Sequence, residues 1–297
     1  VVIDRCWFSS GGKVPPGLFR RGRKHLTVCL DLSDGHVTPA WRREFSRFDH
    51  ILRGHWNRNC SYPPNFRPWA FGLSNRIISA GAGAGPFASR RRVLLANFRL
   101  SHPVRELAER LFYPRLEAVL PLDRTAEGWE ERPWEPLDRI FWEQTGRRHY
   151  PAYFRRLQES AASSCFSGFF LPVLPRFLKS PRGERILSRL GWRPDPATGR
   201  VAQWESWRFW ESLAAGAVAV GLDFRSYGLA PPVPPVNLVH YLGLSPENIE
   251  PVRELLVRDP GILARISEAG REWALKNYGP RPTALRFLET IQAGGRP

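Results

Sequence analysis

The segment Gln203–Phe224, QWESWRFWESLAAGAVAVGLDF, constrains the fold more than any other part of the chain. On a helix over residues 204–215, at 100° per residue, Phe209, Trp210 and Leu213 share one side, while Trp204, Trp207, Arg208, Glu211 and Ala215 share the other. Large apolar groups on both sides describe a buried helix. The small residues AAGA then allow a tight return into the apolar run VAVGLD, which reads as a strand. A buried arginine and carboxylate cost several kcal/mol unless each is paired or hydrogen-bonded. Arg208 and Glu211 lie three apart, so one reading has them satisfy each other. The other has them point into a cleft at the carboxyl ends of the strands, where an open α/β sheet binds its ligands. There the guanidinium would meet a phosphate, the carboxylate would accept from ribose hydroxyls, and the helix N-terminus would add free N–H groups.

The 297 residues suffice for two ordinary domains, and 42% hydrophobic content supports packed cores. Upstream, LTVCLDL, FDHILRGHW, RPWAFGLS and RRVLLANFR are strand-like runs, and His102–Phe112 has helical spacing. Strands interleaved with helices indicate an α/β layer. Residues 79–92 read as a flexible loop, and the charged, proline-bearing stretch 122–148 as the connection between halves. PAYFRRLQESA reads as a helix with proline in its first turn, and SSCFSGFFLPVLP as a buried strand running into a loop. After the strand VAVGLD come a proline loop, LAPPVPPVN, and three helices, so the second half runs β-α-β and then helices, as Rossmann-like domains do.

Residues RFWESLAAGAVAVGLDF…LAPPVP resemble the nucleotide-sugar-binding segment of GT-B glycosyltransferases, in particular the exostosin-like and spore-coat-type families. The pattern is an arginine, two residues, a glutamate, a small-residue turn and an apolar strand ending in Asp before a proline loop. The resemblance implies an α/β fold of two Rossmann-like domains facing each other across a cleft, with divisions at 1–145, 146–280 and 281–297 and the last helix crossing back to the first domain. It implies transfer of a sugar from a UDP- or GDP-type nucleotide-sugar co-substrate to an acceptor hydroxyl, with no cofactor and no metal. Glu211 would hold the donor ribose, with Gln203, Ser206, Trp207, Arg208, His240 and Tyr241 beside it. In retaining members two glutamates flank seven residues, but the position eight before Glu211 is Gln203, and Glu205 stands out of register.

Two further groups are candidates. Asp34 or His36, after a strand of the first half, would deprotonate an acceptor hydroxyl in an inverting reaction. Arg99, His102 and Arg148 would neutralise the departing diphosphate. The four cysteines form no CxxC pair, so neither a zinc site nor a disulfide framework is indicated, and a cytoplasmic setting fits. No apolar run approaches the length of a membrane span. The chain carries 44 Lys and Arg against 28 Asp and Glu. That balance favours anionic partners, and with the arginine-aromatic interleaving of WRREFSRFDHILRGHW it keeps a nucleic-acid binder as the alternative reading, alongside an inactive transferase-like fold. The favoured expectation is an enzyme acting on a carbohydrate, lipid-linked or small-molecule acceptor, with peripheral contact to anionic membrane and no nucleic-acid partner.

Overall fold

Alternation along two short strands sets the first layer. Cys29 and Ile51 enter one apolar cluster with Phe45, Phe48 and Phe66, whereas Val28 and Leu52 enter another with Trp69. A sheet buried on both faces is the expected home of parallel strands. Strands β1 (Val2–Asp4), β2 (Val28–Asp31), β3 (His50–Arg53) and β4 (Phe66–Pro68) are parallel and lie in the order β1-β2-β3-β4. Helix α1 (Arg5–Ser9) follows β1. The computed structural model describes residues 1–9, 11–33, 45–97, 102–124, 152–171 and 200–293, with isolated positions between 132 and 143.

The second layer is a parallel sheet of β5 (Arg91–Leu95), β6 (Leu122–Asp123), β7 (Ser160–Ser164), β10 (Val218–Leu222) and β11 (Leu242–Leu244). A short antiparallel pair, β8 (Phe169–Phe170) and β9 (Val201–Ala202), flanks it. The strand order is β11-β10-β7-β5-β6, so the chain's direction of winding reverses between β5 and β7. The change of sheet falls between Pro68 and Arg91, and the expected division at residue 145 does not coincide with it. The helix expected up to residue 161 stops earlier: α5 (Ala152–Glu159) gives way directly to β7. SAASS has weak strand propensity, but the segment lies between β10 and β5 and every residue of it is buried.

Helix α2 (Asn75–Gly81) occupies the start of the stretch read as a loop. Ser74 caps it, its side chain accepting from the Ile77 N–H at 3.2 Å. Helix α3 (Pro103–Leu107) runs through a π-helical turn (Ala108–Phe112) into α4 (Tyr113–Leu116). The buried segment of the opening argument forms α6 (Trp207–Ala214). Gly81 touches the end of that helix so closely that a Cβ there would stand 2.7 Å from the Ala214 carbonyl carbon. We expect Ser74→Ala to cost about 1 kcal/mol in urea unfolding, the usual worth of a helix cap.

Three helices close the chain: α7 (Ile249–Arg258), α8 (Ile262–Tyr278) and α9 (Pro280–Ala293). The last crosses back to the first sheet as expected, with Phe287 and Ile291 packed against the cluster of Val28, Leu52 and Trp69. The carboxyl ends of the two sheets meet. The loop after β3 donates from Asn57 Nδ2 to Val201 O and Tyr227 O, both at 3.0 Å, and from Arg58 N to Gly228 O at 2.7 Å. Trp56 O accepts from Trp204 Nε1 at 3.1 Å and from Ala230 N at 3.0 Å.

Candidate functional site

A ligand of an open α/β sheet binds outside the carboxyl ends of the strands where the strand order reverses. Here that point lies between Leu95 of β5 and Ser164 of β7. Helix α6 aims its N-terminus at this end of the sheet. Its inner face buries Phe209, Trp210 and Leu213, as the helical spacing requires, and leaves Trp207, Arg208 and Glu211 on the other side. Trp207 is 49% exposed and stacks on Phe71, with ring centroids 4.7 Å apart.

The charged pair is joined through a third residue. Arg208 Nη1 donates to Asn97 Oδ1 at 2.5 Å, just beyond β5, and the guanidinium lies over the Tyr153 ring, 5.4 Å from its centroid. The Tyr153 hydroxyl donates to Glu211 Oε2 at 3.1 Å. Burial raises the Glu211 carboxyl above its ordinary range, while Arg208, the tyrosine hydroxyl and the more distant Arg76 pull it down. Burial also lifts the Tyr153 phenol, keeping it a proton donor to the carboxylate. Asn97 and Tyr153 are the functional neighbours that sequence reasoning missed. Asn97 directly follows the apolar run RRVLLA, a position that the carboxyl-end rule singles out.

Ser206 occupies the cap position of α6, yet its side chain makes no capping bond, and its Oγ is buried without a partner among the described residues. Phe209 N donates to the Ser206 carbonyl at 3.1 Å, and the positive end of the helix dipole favours an anion here. Gln203 has a left-handed backbone, φ 55°, and its carbonyl accepts from Ser167 Oγ at 3.2 Å, so it serves the turn into the helix.

His102 lies close by, but its Nδ1 accepts from the Gly168 N–H at 3.1 Å and its ring packs on Phe169. It holds the loop after β7 in place. Two expected donor contacts are corrected. Tyr241 is 1% exposed, and its hydroxyl accepts from Phe224 N at 2.8 Å and donates to Asp223 Oδ1 at 3.4 Å, so it is a core residue. His240 accepts from Val236 N at 2.9 Å and stacks on Trp273, closing its own loop. Asp34, His36, Arg99 and Arg148 lie outside the described residues.

Glu205, set aside as out of register, is an enclosed carboxyl at the meeting of the two sheets. It is 3% exposed; Oε1 accepts from Phe71 N at 2.7 Å and from Trp210 Nε1 at 2.8 Å. Its own N–H donates to His55 Nδ1 at 3.1 Å. Oε2 has no hydrogen-bond partner among the described residues, and Glu205 lines a cavity of about 20 Å³ with Cys165, Ser167 and Phe209. Burial pushes this carboxyl up to about 7, against the pull of Phe71, Trp210 and His55 hydrogen bonds and of Arg53. Among the described residues no three His, Cys, Asp or Glu side chains gather as a metal ion would require, and no helix is long and apolar enough to cross a membrane.

No protein-family model matches this chain, and no curated protein sequence does. Among solved structures it is similar to an alpha-glucosyltransferase in complex with UDP and a 13-mer DNA containing a central A:G mismatch. That match has a TM-score of 0.50 at 11% identity and covers 94% of this chain and 74% of the other. Two further alpha-glucosyltransferase structures are similar, one with UDP-glucose and DNA containing an abasic site (TM-score 0.49, 10% identity, 91% and 72% covered) and one with UDP (0.47, 11%, 91% and 73%). The fold is therefore GT-B-like, with two parallel α/β layers, as the resemblance implied. The likeness is to alpha-glucosyltransferases and not specifically to exostosin-like families. One expectation is overturned: the first of these structures holds DNA beside UDP on this fold, so a nucleic-acid partner is not excluded.

Proposed function

We propose that this protein transfers a glycosyl group from a nucleoside-diphosphate sugar, with uridine the favoured base, to an acceptor hydroxyl. The observation that carries the reading is the placement of Arg208 and Glu211 on one helix, with an uncapped N-terminus, at the reversal point of a parallel sheet. Arg208, held by Asn97, would meet phosphate oxygens, and the positive end of the α6 dipole adds to the same charge. Glu211 takes Tyr153 on Oε2, and Oε1 has no bond to a described residue, which leaves an acceptor for a ribose hydroxyl. In the reaction the acceptor oxygen bonds to the anomeric carbon as the bond from that carbon to the diphosphate oxygen breaks. The acceptor proton leaves to a base, for which Asp34 and His36 are the candidates. The electron pair departs with the diphosphate, whose charge Arg208 and the helix end stabilise. Sharing a fold with a glucosyltransferase solved with UDP supports the donor class.

For the acceptor we propose a hydroxyl group of a nucleic acid. The DNA in the similar structure and the net charge of +16 support that class. A thermal-shift series with UDP, GDP and ADP tests the donor. UDP is expected to raise the melting temperature of the parent, and Glu211→Ala is expected to lose most of that rise. Equal shifts in both proteins would remove Glu211 from the site.

A further inference from the structure

The cleft uses the carboxyl ends of the strands, and a second charged feature lies at the other end of the first sheet. Residues 11–27 connect α1 to the amino end of β2 and carry Arg20, Arg21, Arg23, Lys24 and His25 within six positions. Asp49 engages one of them, accepting from Arg23 at 2.7 Å and from Thr27 N at 2.7 Å. The side chains of Arg20, Arg21 and Lys24 are exposed and have no ion pair or hydrogen bond among the described residues. Pro15, Gly17, Arg20, Arg21, Arg23 and His25 line an open depression of about 610 Å³. Gly17 and Gly22, with φ of 79° and 75°, turn the backbone on either side of the two arginines. On the rim, the Arg47 guanidinium lies 4.6 Å from the Phe19 ring centroid. Leu18, the apolar residue beneath, is buried, while Val1 and the prolines Pro15 and Pro16 add small apolar side chains to the lining beside the cations.

We propose that this depression grips the phosphodiester backbone of a nucleic acid, as a tether separate from the cleft. Its choice of polymer rests on the acceptor class proposed above. Repeated cations at a concave surface, where the neighbouring Asp49 is already engaged by Arg23, match a line of phosphates, and such contacts carry no sequence information. Because the depression lies at the opposite end of β2 from the cleft, a strand held there does not occupy the reaction site. It raises the local concentration of acceptor groups, as any second contact on one polymer does.

The test uses anisotropy of a labelled single-stranded oligonucleotide, without sugar donor, over a salt series from about 50 to about 200 mM. A variant combining Arg20→Ala, Arg21→Ala and Lys24→Ala is expected to lower the slope of log affinity against log salt by about 2. The parent should therefore lose about 20-fold more affinity across that range than the variant. The reversal Arg20→Glu with Arg21→Glu should weaken binding further. All these side chains are exposed, so the melting temperature and its rise with UDP should be unchanged. An unchanged slope in both variants would overturn the proposal. So would a loss of binding to phosphatidylserine vesicles with oligonucleotide binding intact, which would make this a membrane surface. If UDP fails to stabilise the parent while the slope changes as stated, the donor reading falls and the tether stands.

Discussion

Glu205→Gln is expected to exceed the parent in stability by about 1 kcal/mol at pH 5 and by about 3 kcal/mol at pH 8. The folded carboxyl titrates near 7, against 4.5 for its ordinary value. Between those values the folded state holds a proton that the unfolded state has lost, so the parent's stability falls as pH rises from about 4.5 to about 7 and then levels off. Glutamine keeps an oxygen for the Phe71 and Trp210 N–H groups and has no charge to desolvate. Its amide group takes the place of Oε2, which bonds no described residue, just as the hydroxyl of a protonated Glu205 would. Urea unfolding of both proteins at the two pH values measures the difference. A gap of the same size at both would show that the carboxyl is ordinary and that the mutation acts on packing alone.

The second large effect falls on the proposed transfer. Arg208→Ala should lower turnover with a UDP-sugar by about 10²–10³-fold, the usual loss when one donor to a developing negative charge is removed. Lysine should recover little of it. The guanidinium gives one N–H to Asn97 and lies on Tyr153, an arrangement that needs a planar fork, and a point charge on a flexible stem reproduces neither contact. The change should appear in kcat and in kcat/KM together if the contact strengthens as the diphosphate departs. Because Arg208 also offsets the burial of the Glu211 carboxyl, its loss should lower the unfolding midpoint as well, so turnover is compared at a temperature where both proteins are folded. A variant with full turnover would mean that the diphosphate leaves elsewhere.

The apolar face of α6 and the strand after it were legible because one segment of 22 residues contains its own evidence: three-residue spacing, then small residues, then an apolar run. The crossing of α9 to the first sheet came from the family resemblance. What failed depends on contacts distant in the chain. SAASS becomes a central strand because of the strands on either side of it, not because of its side chains. Counting spacings from Glu211 favoured Gln203 and dismissed Glu205, yet two of the three hydrogen-bond partners of Glu205, His55 and Phe71, lie 150 and 134 residues away. Tyr241 follows a proline loop and so looked ligand-facing; only the position of Phe224 shows its hydroxyl turned into the core. Arg208 and Glu211 were read as either a mutual pair or a cleft pair, and Tyr153 standing between them is an arrangement that neither alternative contained.

The packing of Phe287 and Ile291 on Val28, Leu52 and Trp69 has a consequence for biosynthesis. More than two hundred residues separate Trp69 from Phe287, so at ribosomal speeds on the order of 5–20 residues per second the earliest layer waits roughly ten to forty seconds for its cover. During that interval a greasy face of the nascent polypeptide stands open, and the half that is translated first becomes the half that matures last.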